Sequence, residues 1–212
     1  MNLSLTDVEK IIQIAFFIVT GSVAVLGLKA WRAEMAGRVE FDVARRVVAG
    51  AYKIRDNIKR CQTAFMTADE YAERKPIPGE SEAEKRANES YFAYGRRFNL
   101  VIEALNEWYP STIEAEAVFG REAKLLMENL KQAIGHLRAA IDIYHRSIYH
   151  GRSNNKHEKY FNIIYGINEF ETPPKADEEP IDDDNFQKNL DFAILEIEKF
   201  FLKHMHRKAL DI

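Results

Sequence analysis

Side chains able to do chemistry are few and scattered. Of six histidines, five fall in two regions: His145, His150 and His157, then His204 and His206. Helical metal sites need two ligands at i, i+4 or a Glu-x-x-His pair, so that both donors share a face. Neither spacing occurs, and His204 and His206 point to different faces of a helix, so no metal is expected. The single cysteine, Cys61, leaves no disulfide framework and no thiolate zinc set, and it fits a reducing compartment. Phosphate-cradling glycine loops and nucleophile elbows are absent. The acidic stretch 171–184 lacks the Asp-x-Asp-x-Asp-Gly calcium pattern. No cofactor is expected.

One pair remains. Arg152 and His157, in RSNNKH, place a guanidinium and an imidazole five positions apart. The spacing resembles the Arg-x4-His motif of HEPN-type ribonucleases, which are all-helical. That resemblance implies that a paired Arg and His act on the 2′-hydroxyl and phosphate of RNA. Ser153 stands where that family usually has Asn, Asp or His. Arg138 and His145 form a second Arg/His spacing of this kind, and in a chain with 15 Arg and 6 His such a pair arises by chance about once. A polar loop with an exposed histidine is the simpler reading.

The elements that must position these residues are helices. Ile11 to Leu28, IIQIAFFIVTGSVAVLGL, is uncharged over 18 residues. As a helix it spans roughly 27 Å, close to a hydrocarbon core of about 30 Å. The expectation is a transmembrane helix over 11–30, a short extracytoplasmic N-terminus over 1–10 and a cytoplasmic helical domain over 31–212. A signal peptide would show a basic start and a cleavage site; the first ten residues instead carry Asp7, Glu9 and Lys10. Orientation follows the bases: Lys29, Arg32, Arg38, Arg45 and Arg46 all lie on the C-terminal side. Trp31 suits the interface, so Lys29, Trp31 and Arg32 form the candidate membrane-interface set. Thr20 and Ala24 make a small-xxx-small pair; ordinary composition of a spanning helix is the simpler reading, and close packing of spans into an oligomerising, membrane-perturbing effector is a further alternative.

Beyond the span the apolar spacing stays helical. Ala44, Val47, Ala51, Ile54, Ile58, Cys61 and Phe65 recur at steps of three and four, an a/d heptad seam. That helix is expected to end near Met66 to Tyr71. Ser81 with Glu84 reads as a capping box opening the next helix, with Ala87, Tyr91, Tyr94, Phe98, Val101, Leu105 and Trp108 along one face. Pro110 is expected to stop it. Ser111 with Glu114 then reads as a further capping box, opening a third helix that runs to about His150. Phe119, Ala123, Leu126, Leu130, Ile134, Leu137, Ile141, Tyr144 and Ile148 are expected on one face of that helix. The stretch 171–184 holds seven acids, one Lys and three Pro, a linker composition. A last helix begins near Asp184, with Phe186, Leu190, Ile194, Ile197, Phe201 and Met205 on one face.

The expected fold is therefore all-α: one N-terminal transmembrane helix followed by an antiparallel bundle of about four helices with long heptad seams. Arg32, Arg46, Lys53 and Arg60 share one heptad position, opposite the apolar seam. On an upright helix Arg60 lies about 45 Å beyond the span, whereas attraction to a charged surface fades within about 8 Å. Arg46, Lys53 and Arg60 are thus candidates for a partner surface rather than for lipid, and a solvated face, or one paired with acidic partners, is the simpler reading. A net charge of −3 gives no pull on nucleic acid.

The motif Trp31 to Arg38, WRAEMAGR, followed by ARRVVAGAYKIRDNI, resembles a group of uncharacterised bacterial proteins. They carry one N-terminal span, a Trp just beyond it, a Gly-basic pair and an Arg-rich helix. The resemblance covers residues 5–60. It implies a bacterial inner-membrane protein with a cytoplasmic helical domain and no reaction; the flanking bases are what put the N-terminus outside and the C-terminus in the cytoplasm. The function expected is that of an anchored scaffold whose partners are the lipid bilayer and a protein or a second copy of the chain. A membrane-tethered ribonuclease using Arg152 and His157 is the alternative.

Overall fold

A computed structural model describes residues 5–149, 156–166 and 186–206. Most of these residues are helical and none is in a strand: α1 (Leu5–Cys61), α2 (Ala68–Tyr71), α3 (Glu82–Phe119), α4 (Arg121–Tyr149), α5 (Lys156–Tyr165) and α6 (Phe186–His206). The chain divides into two compact units, residues 1–42 and 43–212.

In the first unit α1 is long and apolar enough to cross a membrane, and its most apolar stretch buries none of its residues. Every residue from Gln13 to Ala36 is exposed, Phe16, Phe17, Val19, Val23 and Leu26 among them. Ser22 turns its hydroxyl back to donate to the Ile18 carbonyl at 2.7 Å. That i to i−4 bond satisfies the hydroxyl within the helix itself.

The second unit has a continuous core. Ala44, Val47, Ala51, Ile54, Ile58 and Cys61 of α1 are each no more than 1% exposed. They pack with Tyr94, Phe98, Val101 and Trp108 of α3, Leu130, Leu137 and Ile141 of α4, and Leu190, Ile197 and Phe201 of α6. Burying each large apolar side chain contributes roughly 1.5–3 kcal/mol. Polar contacts fix the register. Arg46 pairs with Glu114, Lys53 with Glu107, and the Asn57 amide donates to the Leu100 carbonyl at 3.1 Å, so this part of α1 and α3 run antiparallel. Between α3 and α4, Lys124 meets Glu116 at 3.0 Å and the Tyr91 hydroxyl meets Asp142 at 2.8 Å, again antiparallel. Phe119 packs edge-on against Phe201 of α6, 5.3 Å between ring centroids. Tyr144 and Tyr165 bring α5 onto α4, and the Gln62 amide donates to the Ile163 carbonyl at 2.7 Å.

Three expected boundaries are corrected. Pro110 does not stop α3; it lies inside it, and the helix runs on to Phe119. Proline removes one helical N–H and costs about 3 kcal/mol in a helix interior, but Thr112 and Ala115 just beyond it are buried, and their packing holds the helix together. Ser111 is therefore mid-helix and opens no new one. The chain reverses instead at Gly120, whose φ of +81° suits glycine alone and whose N–H donates to the Glu116 carbonyl at 2.9 Å. The following helix accordingly starts at Arg121, so Phe119, expected on its apolar face, belongs to α3, and Ile148, expected there too, is exposed near its end. Phe65, expected on the buried seam, is 75% exposed because α1 ends at Cys61. The capping box of Ser81 and Glu84 forms: Glu84 N–H donates to Ser81 Oγ, and Ser81 N–H to the Glu84 carboxylate. Asp184 and the acidic stretch 171–184 lie outside the described residues.

Candidate functional site

Two loops with α2, α3 and α4 build a polar network in the second unit. Leaving α1, the chain turns at Thr63, and Arg97 of α3 reaches across to hold that turn. Its guanidinium donates to the carbonyls of Thr63 and Phe65 and to both oxygens of Glu70. The Arg97 bond, reinforced by the Thr67 N–H, pulls the Glu70 carboxyl down to about 2 against the penalty of burial. Farther along, Arg74 clamps Glu80 with two bonds, and both side chains are less than a tenth exposed. That clamp and Asn88 hold Glu80 at about 2.

Asn88 extends the chain of contacts. Its amide N–H₂ donates to Glu80, so its oxygen must face His145, 3.0 Å away. An amide oxygen only accepts, so His145 Nε2 carries the hydrogen in this contact. The His145 ring stacks on Tyr91 with centroids 4.1 Å apart. Tyr91 donates its hydroxyl to Asp142, and that bond, more than burial, raises its pKa. Arg138 completes the set, 3.2 Å from Asp142 and 3.3 Å from the Tyr91 oxygen. Arg138 and His145 are thus gathered around one tyrosine ring from α4 positions two helical turns apart. The sequence showed their spacing; it did not show that Asn88 and Tyr91 of α3 would stand between them.

Beside this network is a cleft of about 630 Å³, lined by the 73–77 segment, α3 and Arg138. Arg74, Lys75, Arg96 and Arg138 face it against one acid, Glu73, with Tyr91, Phe92 and Gly95 on the α3 side. Its makeup suits an anion with an apolar or flat portion. Sequence reading missed it. Asn88, Phe92, Gly95 and Asn99 do recur at helical spacing on one face, but that face is neither apolar nor charged enough to stand out.

The residues singled out from sequence are placed as follows. Lys29, Trp31 and Arg32 are exposed on α1 in the first unit. Arg46 and Lys53 are bonded within the chain to Glu114 and Glu107, each cation staying about half exposed; Arg60 is exposed in the last turn of α1. Arg152 lies outside the described residues, as does the side chain of His157, whose backbone belongs to α5. Cys61 is buried, which pushes its thiol up to about 12 and keeps it protonated. Among the described residues no group of three or more His, Cys, Asp or Glu is placed to hold a metal. No family model matches the chain, and neither a curated protein nor a solved structure is significantly similar to it.

Proposed function

We propose that the chain is a membrane-anchored helical scaffold that works by binding at the cytoplasmic face of a bacterial inner membrane. α1 up to about residue 30 is the anchor. Residues 43–61 of α1 with α3, α4 and α6 form an antiparallel four-helix bundle that binds a protein partner or a second copy of the chain. One observation carries this reading. An uncharged helical stretch leaves Phe16, Phe17, Val19, Val23 and Leu26 fully open, although the same chain builds a well-packed core from residue 43 onward. A water-exposed apolar surface of that extent is costly, and lipid is the medium that removes the cost. Lys29 and Arg32 at its C-terminal end support an N-out, C-in orientation. Arg60, with the half-exposed Arg46 and Lys53, supplies the basic part of the partner surface.

Alkaline phosphatase fused after Ile212 tests the topology. The fusion is expected to be inactive, while a fluorescent protein at the same site glows. An active phosphatase would place the bundle outside and overturn the assignment. Cross-linking of the full chain in native membranes is expected to give a discrete adduct, with itself or one partner. Monomer alone at every cross-linker length would sink the scaffold reading.

A further inference from the structure

We propose that the cleft between the 73–77 segment and α3 binds a nucleoside phosphate, with its phosphates on Lys75, Arg96 and Arg138 and its ring over Gly95 against Phe92. The inference rests on the second unit alone and holds wherever the bundle resides.

The cations differ in how firmly they are engaged. Arg74 is consumed by its buried clamp on Glu80 and serves as wall. Arg96 is not: its contacts to Glu73 at 3.5 Å and to the Asp69 carbonyl at 3.4 Å lie at the outer limit of bonding, and its side chain is 44% exposed. Arg138 is 41% exposed and sits at 3.2–3.3 Å from Asp142 and Tyr91. Lys75 is exposed on the facing loop. Half-exposed guanidiniums with long bonds can re-aim at a phosphate and gain shorter, charge-assisted ones.

The rest of the cleft argues for more than a bare anion. Phe92 and Tyr91 line it with aromatic surface, and a bare phosphate or pyrophosphate would leave that surface unused. At Gly95 a Cβ would meet nothing within 4 Å, so the floor is open where a flat ring could lie. Asn99, one turn on, offers an amide to the edge of a base. The volume of about 630 Å³ falls within the roughly 300–1,000 Å³ of small-ligand pockets.

The test is calorimetric titration of the full chain in detergent micelles with ADP, GDP, pyrophosphate and adenosine. At least one nucleotide is expected to bind saturably with Kd below about 1 mM, at least tenfold tighter than pyrophosphate or adenosine. Gly95→Leu is expected to weaken that binding tenfold or more without lowering the unfolding midpoint, because leucine fills the cleft yet favours a helix over glycine. Arg96→Ala is expected to weaken nucleotide binding and leave adenosine unaffected. No saturable nucleotide binding, pyrophosphate binding as tight as the nucleotides, or undiminished binding by Gly95→Leu would each overturn the proposal.

Discussion

Trp108 and Gly50 fit as a plug and a socket. The indole N–H donates to the Val47 carbonyl at 2.9 Å, and a Cβ built on Gly50 would stand 2.1 Å from the Trp108 ring. Trp108 is fully buried and has no room to yield. Gly50→Ala should therefore destabilise the second unit by about 1–3 kcal/mol, the range for forced overpacking. Gly95→Ala, at an open helical position, should raise stability by about 0.5–1 kcal/mol. Denaturant unfolding of the full chain in detergent measures both, and equal effects would refute the socket. The spacing of Trp108 with Val101 and Leu105 marked it as core. Nothing in the sequence tied it to Gly50, because their contact depends on how closely α1 approaches α3.

The junction between α1 and α3 is governed by Arg97. By occupying the carbonyls of Thr63 and Phe65, its guanidinium ends α1 at Cys61 and turns Phe65 outward, against the expectation that the seam continues. Glu70 completes the junction, and its folded-state pKa of about 2 lies below its ordinary value of 4.5. A carboxyl depressed in this way contributes stability above its unfolded pKa and loses it as the pH falls through the folded value. The acid limb should accordingly run from about pH 4.5 down to about 2, with Glu80 acting in the same sense. Glu70→Gln should cost about 1.5–3 kcal/mol at pH 7, the value of hydrogen bonds to a charged group, and should flatten part of that limb. An unaltered acid profile in far-ultraviolet circular dichroism would show that the pair is not coupled to folding. The passage of α3 through Pro110 has a similar cause. A local helix-breaking signal was overridden by burial of Thr112 and Ala115, while the true stop, Gly120, had carried its own glycine signal all along.

At the scale of the whole chain the two units differ in which side chains they expose. The first exposes apolar side chains on every face of a helix, and the second buries its own in a contiguous core. Val19→Arg with Val23→Arg should therefore shift the protein out of the alkaline-extracted membrane pellet, since each charge at mid-span costs about 2.5–3.5 kcal/mol on insertion scales. The unfolding transition of the second unit should stay where it is. Retention in the pellet would count against the proposed anchor, and a lowered unfolding midpoint would show that these two positions support the core of the second unit.

The sequence by itself determined the helical class, the apolar N-terminal stretch and most of the buried faces. These depend on residue type and a 3.6-residue period, which are local properties. Ala44 through Cys61, Tyr94 through Trp108 and Leu130 through Tyr144 were legible for that reason. The tertiary structure alone decided that α1 stops at Cys61 and that α3 continues through Pro110, because long-range partners, Arg97 for one and the buried face beyond Pro110 for the other, outweigh local signals. It also decided that Arg46 and Lys53 face Glu114 and Glu107. The gathering of Asn88, Tyr91, Arg138 and His145 beside the cleft belongs to it as well. Such a site joins residues 47 to 57 positions apart, and only the register of α3 against α4 brings them within a hydrogen bond of one another.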